Sequence, residues 1–273
     1  MLDVNVALLG LVAGLTIFLG LPVARYTSNN PRVRGVLNSL SIGILLFLLI
    51  EISVHGFEPV EDAVVAAADG TGAPSDAALM AVVFSVGLAV GLLSLVWFEL
   101  HYLHRKTSAG NGKAEHEDSE RGLKLSMMIA VGIGLHNFSE GLAIGASAAT
   151  GAMTLAALLA VGFALHNATE GFGIAAPLAG TKPSWNFLLT AGLVAGGPTF
   201  LGTLIGSLVS SPAVSVLFLA LAAGALIYVI KELFYHGRAV ASDPEHSMVV
   251  MGALVVGFLI ALGTEFVLKV AGG

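Results

Sequence analysis

The chain has 273 residues, of which 56% are hydrophobic and 11% charged, with a formal net charge of −6 and no cysteine. The charged share is less than half of the roughly 25% usual in soluble domains, which makes this a membrane protein by composition. Disulfide frameworks, thiolate metal sites and cysteine nucleophiles are excluded, and the acidic balance offers no basic groove for nucleic acid. Apolar stretches of about 20 residues, enough to cross about 30 Å of hydrocarbon, recur eight times, near 5–25, 36–56, 78–102, 124–148, 153–179, 186–209, 213–234 and 247–269. They predict an all-α, polytopic bundle of eight transmembrane helices, a single domain over residues 1–273.

The first span follows Met1-Leu2-Asp3 without a basic n-region, so it reads as a retained helix and not as a cleaved signal peptide. In the second, Asn38, Ser39 and Ser41 either line a pore or back-bond to carbonyls. Glu51 and His55 stand near the outer end of this span, with Glu58 following. They either collect cations at a mouth or snorkel to the interface. Glu58, Glu61, Asp62, Asp69 and Asp76 then make the second loop acidic. After the third span, residues 105–123 form the one long polar run, expected to be a cytoplasmic loop without fixed structure. His101, His104 and His116 in or beside it either bind metal loosely or belong to a solvated linker.

Lysine and arginine in short loops are retained on the cytoplasmic side. Arg25, Arg32 and Arg34 flank the first loop, Arg105, Lys106, Lys113, Arg121 and Lys124 the third, Lys182 the fifth, and Lys231 and Arg238 the seventh, with Lys269 alone on the other side. Both termini and the acidic loop are therefore expected outside, in a plasma or inner cell membrane. Glu232 and His236, at the cytoplasmic end of span seven, are candidates to accept a cation on exit, although Lys231 beside them opposes it. Glu265 of span eight is placed near the outer interface.

The fourth and fifth spans carry one polar pattern twice, GLHNFSEGLAIG from Gly134 to Gly145 and ALHNATEGFGIA from Ala164 to Ala175. Reading HNFSEG as a loop would leave apolar pieces of about ten residues, too short to span, with backbone exposed to lipid. On a continuous helix, with His136 at zero, Asn137 lies at about 100° and Glu140 at about 40°, so the three share a face. His166, Asn167 and Glu170 repeat that arc, and both histidines fall near mid-span. A carboxylate at that depth costs on the order of 2.5–3.5 kcal/mol. One reading is interhelical packing, with Gly132, Gly134, Gly141, Gly145, Gly171 and Gly173 allowing close approach. The other is a cation: two glutamates neutralise a divalent ion, and imidazole with carboxylate suits zinc, Fe(II), Mn(II) or Cd(II). The pattern is not His-Glu-x-x-His, so the zincin arrangement does not apply.

His136-Asn137-x-x-Glu140-Gly141 and His166-Asn167-x-x-Glu170-Gly171 resemble the fourth and fifth transmembrane helices of the ZIP (zinc- and iron-regulated transporter-like) metal transporters. Eight spans, outside termini and a histidine-bearing loop after the third match as well. The resemblance implies uptake of a divalent metal, typically zinc with iron, manganese or cadmium as alternatives, as substrate. It implies His136, Glu140, His166 and Glu170 as primary ligands, Asn137 and Asn167 as second-site or supporting ones, and it is compatible with a homodimer. One departure stands in span six, where similar family members carry a glutamate before a proline and this chain has Gly197 before Pro198. That leaves Glu140 and Glu170 as the carboxylates and predicts one ion, not a bridged pair. An intramembrane metal-dependent hydrolase is the rival function. It needs a base that is not a ligand, and the sequence offers no third carboxylate at midplane depth beside these two.

Overall fold

The computed structural model describes residues 3–26, 31–100, 114–208, 211–241 and 244–271. His101 and His104 lie outside the described residues, as do the side chains of His116 and His236. All regular structure among the described residues is helical, and eight helices are long and apolar enough to cross a membrane. We label them α1 (Val4–Leu15, prolonged by a 3-10 turn over Thr16–Leu19 and a short helix over Val23–Tyr26), α2 (Pro31–Ala68), α3 (Pro74–Phe98), α4 (Ala114–Ala149), α5 (Met153–Ala175), α6 (Trp185–Gly206), α7 (Pro212–Ala241) and α8 (Pro244–Ala271).

Local chemistry sets the ends. Asp3 and Ser184 cap α1 and α6 by accepting from the backbone N–H groups of Asn5 and Phe187, which supplies partners for otherwise orphaned donors. Helices α2 and α4 stop at left-handed Gly70 and Gly151. In each, the two amides after the cap turn back to the last carbonyls, Gly70 to Ala67 and Thr71 to Ala66, and Gly151 to Ala148 and Ala152 to Ser147. This is the Schellman arrangement, which needs a glycine at the left-handed position.

Two helices outrun their apolar stretches. Helix α2 continues to Ala68, so Glu58, Glu61 and Asp62 lie on helix, and Asp76 belongs to the first turn of α3; of the acidic group only Asp69 stands in the connection. Helix α4 begins at Ala114, so the second half of the segment expected as a flexible loop, residues 114–123, is helical.

Glycine decides how closely the helices meet. A Cβ on Gly134, Gly141 or Gly145 of α4 would strike the carbonyl oxygens of Val194, Thr199 and Thr203, and one on Gly202 or Gly206 of α6 would strike those of Phe138 and Leu142. Helices α4 and α6 thus pack backbone to backbone in both directions, the small-residue packing of membrane interiors. The same reciprocity joins α1 to α6 at Gly14 and Gly196, α2 to α8 at Gly43 and Gly257, and α3 to α7 at Gly91 and Gly224. Helix α5 is held between α1, α2, α4 and α8.

Serines secure the far end of α5. Pro177 has no N–H, so the carbonyl four residues earlier loses its helical partner. The Ser41 hydroxyl donates to it, Gly173 O, at 3.1 Å, and Ser126 donates to Ile174 O at 2.8 Å. Asn38 donates to Leu233 O of α7 at 3.2 Å. Ser41 and Asn38 therefore bond to neighbouring helices, not to their own.

Candidate metal site

The two repeated patterns meet face to face. The rings of His136 and His166 lie 6.1 Å apart between centroids. His136 Nε2 is 3.3 Å from Glu140 Oε1, and His166 Nε2 is 3.7 Å from Glu170 Oε1. His136, Glu140, His166 and Glu170 are each at most 5% exposed, and Asn137 and Asn167 are fully buried.

A third helix contributes what was expected elsewhere. Glu51 Oε2 lies 3.7 Å from His166 Nε2, and one ligand atom from each of Glu51, His136 and His166 falls within 4.8 Å of the others. The outer-end placement of Glu51 is thereby corrected. The apolar run ends near residue 56 but the helix does not, so Glu51 stands halfway along the Gly35–Ala68 span. A third carboxylate at this depth also removes the argument against a hydrolase that relied on its absence, and the count of two carboxylates behind a single ion no longer holds. Glu265 stands at the outer end of the Ser247–Phe266 span, where the sequence places it, but faces inward. It is 7% exposed and lines the same cavity as Glu51, His136 and Glu140.

Donor and acceptor chemistry orients the ligands. Thr264 Oγ1 donates to Ala261 O at 2.7 Å, so toward His166 Nδ1, at a long 3.5 Å, it can only accept. Nδ1 then carries the ring proton and Nε2 presents a lone pair to the cluster. The asparagines are set the same way. Asn137 Nδ2 donates to Ala195 O of α6 at 3.1 Å and Asn167 Nδ2 to Ala13 O of α1 at 2.9 Å, which leaves both Oδ1 atoms as acceptors. Asn137→Ala and Asn167→Ala should therefore reduce uptake less than loss of a primary ligand while also lowering stability, by about 0.6–2 kcal/mol each for a lost interhelical bond. Thermal unfolding in detergent checks this, and an unchanged midpoint for both variants would contradict it.

Among the described residues, twelve buried side-chain oxygens and nitrogens have no hydrogen-bond partner, and all belong to Glu51, His136, Asn137, Ser139, Glu140, His166, Asn167, Glu170 and Thr199. Buried polar atoms are ordinarily paired, and an unpaired one costs on the order of 1–3 kcal/mol. Concentrated around carboxylates and two imidazoles, such atoms suit a cation as occupant.

The cluster faces a cavity of about 620 Å³, which also reaches Phe163, Ser211, Pro212 and Lys269. It extends toward the end of the bundle where Gly70 and Gly151 turn the chain. At the opposite end, where Arg25, Arg121, Lys124 and Lys182 lie, Leu21, Leu125, Leu178, Leu188 and Leu233 close the core, each at most 7% exposed.

Residues 98–265, more than half of the chain, match the family model described as ZIP Zinc transporter. The chain belongs to the ZIP family. No curated protein compared with the chain matches it. ZIP membership makes the protein a divalent metal transporter and a multi-pass membrane protein, and the hydrolase is not favoured. The match includes both His-Asn-x-x-Glu-Gly patterns but not Glu51, which the geometry alone adds.

The ZIP departure in span six takes a different form in the structure. Leu193 and Leu201, four residues either side of Gly197 on the same helix face, are each 53% exposed. A Cβ on Gly197 would meet nothing within 4 Å. Position 197 thus faces the membrane, and a glutamate there would point into lipid instead of adding a ligand. The α6 oxygen turned inward is Thr199 Oγ1, buried and unpaired.

Proposed function

We propose that the protein carries divalent cations, zinc foremost, from outside the cell into the cytoplasm, with His136, Glu140, His166, Glu170 and Glu51 as primary ligands and Asn137 and Asn167 in support. The observation that carries this reading is the concentration of unpaired buried acceptors around two imidazoles and three carboxylates halfway through a transmembrane bundle. Neutral imidazole with carboxylate binds zinc without the near-irreversible hold of a thiolate site, which suits a cargo that must leave again.

Direction rests on two asymmetries. Basic residues gather at the closed end, and the positive-inside tendency assigns that end to the cytoplasm. The cavity then opens outward and both termini lie outside. Release requires the leucine layer at the basic end to part while the outer cavity closes, the rocking of packed helices about a midplane site used by other carriers. The same orientation leaves residues 105–113 on the cytoplasmic side.

Purified protein in liposomes should take up zinc faster than protein-free vesicles, with no hydrolysis of lipid or peptide; absence of uptake with intact folding would refute the reading. Topology has its own check, helped by the lack of native cysteine. A cysteine at Gly72 should react in intact cells with a membrane-impermeant thiol reagent, and one at Gly110 should react only after lysis. The reverse pattern would invert the proposed direction.

A further inference from the structure

Beyond the ligands facing the paired histidines, the cavity holds a second set of groups. Glu265 lines it at 7% exposure. The Glu51 side chain is 9% exposed, and its Oε2 has no hydrogen-bond partner. Glu51 and Glu265 line this one cavity together. Two carboxylates so desolvated in one cavity repel unless a proton or a cation stands between them.

His55 is turned toward the same space by its own helix. Its Nδ1 lies 3.0 Å from Glu51 O, a carbonyl that can only accept. Nδ1 therefore carries the ring proton, and Nε2 keeps the lone pair that a metal binds. His55 lines the cavity with Glu51 and Glu265. Carboxylate, carboxylate and imidazole are a donor set for a borderline divalent cation.

A tethered cation already touches this set. Lys269 lines the cavity, and its Nζ is 3.4 Å from Glu265 Oε1. Its side chain is 63% exposed, so the ammonium can swing into water on a flexible stem without moving a helix. A single ammonium neutralises one carboxylate, whereas a divalent ion neutralises both.

We propose that Glu265, Glu51 and His55 form a loading site for a divalent cation at the outer side of the transport cluster, with the Lys269 ammonium as the placeholder that an arriving cation displaces. Glu51 is common to both sets, since it also approaches His166. A cation on Glu265 and Glu51 exchanges one carboxylate and one imidazole for the deeper histidines and glutamates while staying bound to Glu51. This rests on the transport reading above and adds the step before it.

The test is zinc uptake into proteoliposomes by wild-type protein, Lys269→Gln, Glu265→Gln and the double variant. Removing a positive charge that competes at a few ångströms should lower KM by about three- to tenfold, with the effect in KM and not in maximal rate. Glu265→Gln should raise KM. In the double variant the gain from Lys269→Gln should vanish, because the placeholder then has nothing to hold. Lys269 is exposed near a helix end, so Lys269→Gln carries the test even where Glu265→Gln lowers folding. Wild-type uptake with an unchanged KM in Lys269→Gln, or a gain that persists without Glu265, would overturn the loading site alone. Absence of both uptake and zinc binding in the wild type would instead overturn the transport reading.

Discussion

Alanine at His136, Glu140, His166 or Glu170, one at a time, is expected to lower divalent metal uptake by at least about 100-fold, more than the 10- to 100-fold typical of losing a group that only supports a ligand. Each substitution deletes ligand atoms that no other side chain satisfies, and the remaining carboxylates then hold a cation with incomplete coordination in a desolvated site. Glu51→Ala belongs with these four and not with the mild variants, because Glu51 shares the His136–His166 cluster. Folding should survive, since the interhelical hydrogen bond of His166, from Nδ1 to Thr264 Oγ1, is a long 3.5 Å. Uptake per unit of monodisperse protein is the measurement. Unchanged uptake in His136, Glu140, His166 and Glu170 variants would end the proposed site, and a mild Glu51→Ala would return Glu51 to the mouth.

The largest effect on stability is expected at the α4–α6 contact. In Gly141→Val the new Cβ lands on Thr199 O and beside Thr203 N, and in Gly202→Val it lands on Phe138 O. These neighbours are backbone and cannot rotate away, so the helices must separate, at about 3 kcal/mol or more. Against a typical total of about 5–15 kcal/mol, either change should greatly reduce the yield of folded protein. Gly252→Ala is the control, because its Cβ would meet nothing within 4 Å. Size-exclusion profiles and thermal midpoints of the three variants decide the matter. A Gly141→Val protein as stable as wild type would show that α4 and α6 do not pack this closely.

The two predictions reach different depths of the sequence. By itself the chain determined the membrane class, the eight crossings and the pairing of the two His-Asn-x-x-Glu-Gly patterns. These depend on composition, on the length of apolar runs and on helical periodicity, all local and all carried by consecutive residues. His136, Asn137, Glu140, His166, Asn167 and Glu170 could be assigned to shared faces for the same reason, since 3.6 residues per turn fixes their relative directions.

Depth and partnership across helices were decided only by the tertiary structure. Glu51 read as interfacial because hydropathy marks where an apolar run ends, whereas α2 continues as helix to Ala68 and carries Glu51 to mid-span. A carboxylate there is tolerated because residues far away in sequence, His166 and His136, come to face it. Gly197 shows the converse. The family resemblance made position 197 the place of a carboxylate ligand, but the rotation of α6 is set by backbone contacts of Gly196 with Gly14 and of Gly202 with Phe138. Those contacts turn position 197 to the membrane and Thr199 inward. The rotation and depth of a helix follow from all its neighbours at once, and no local pattern in the helix encodes them.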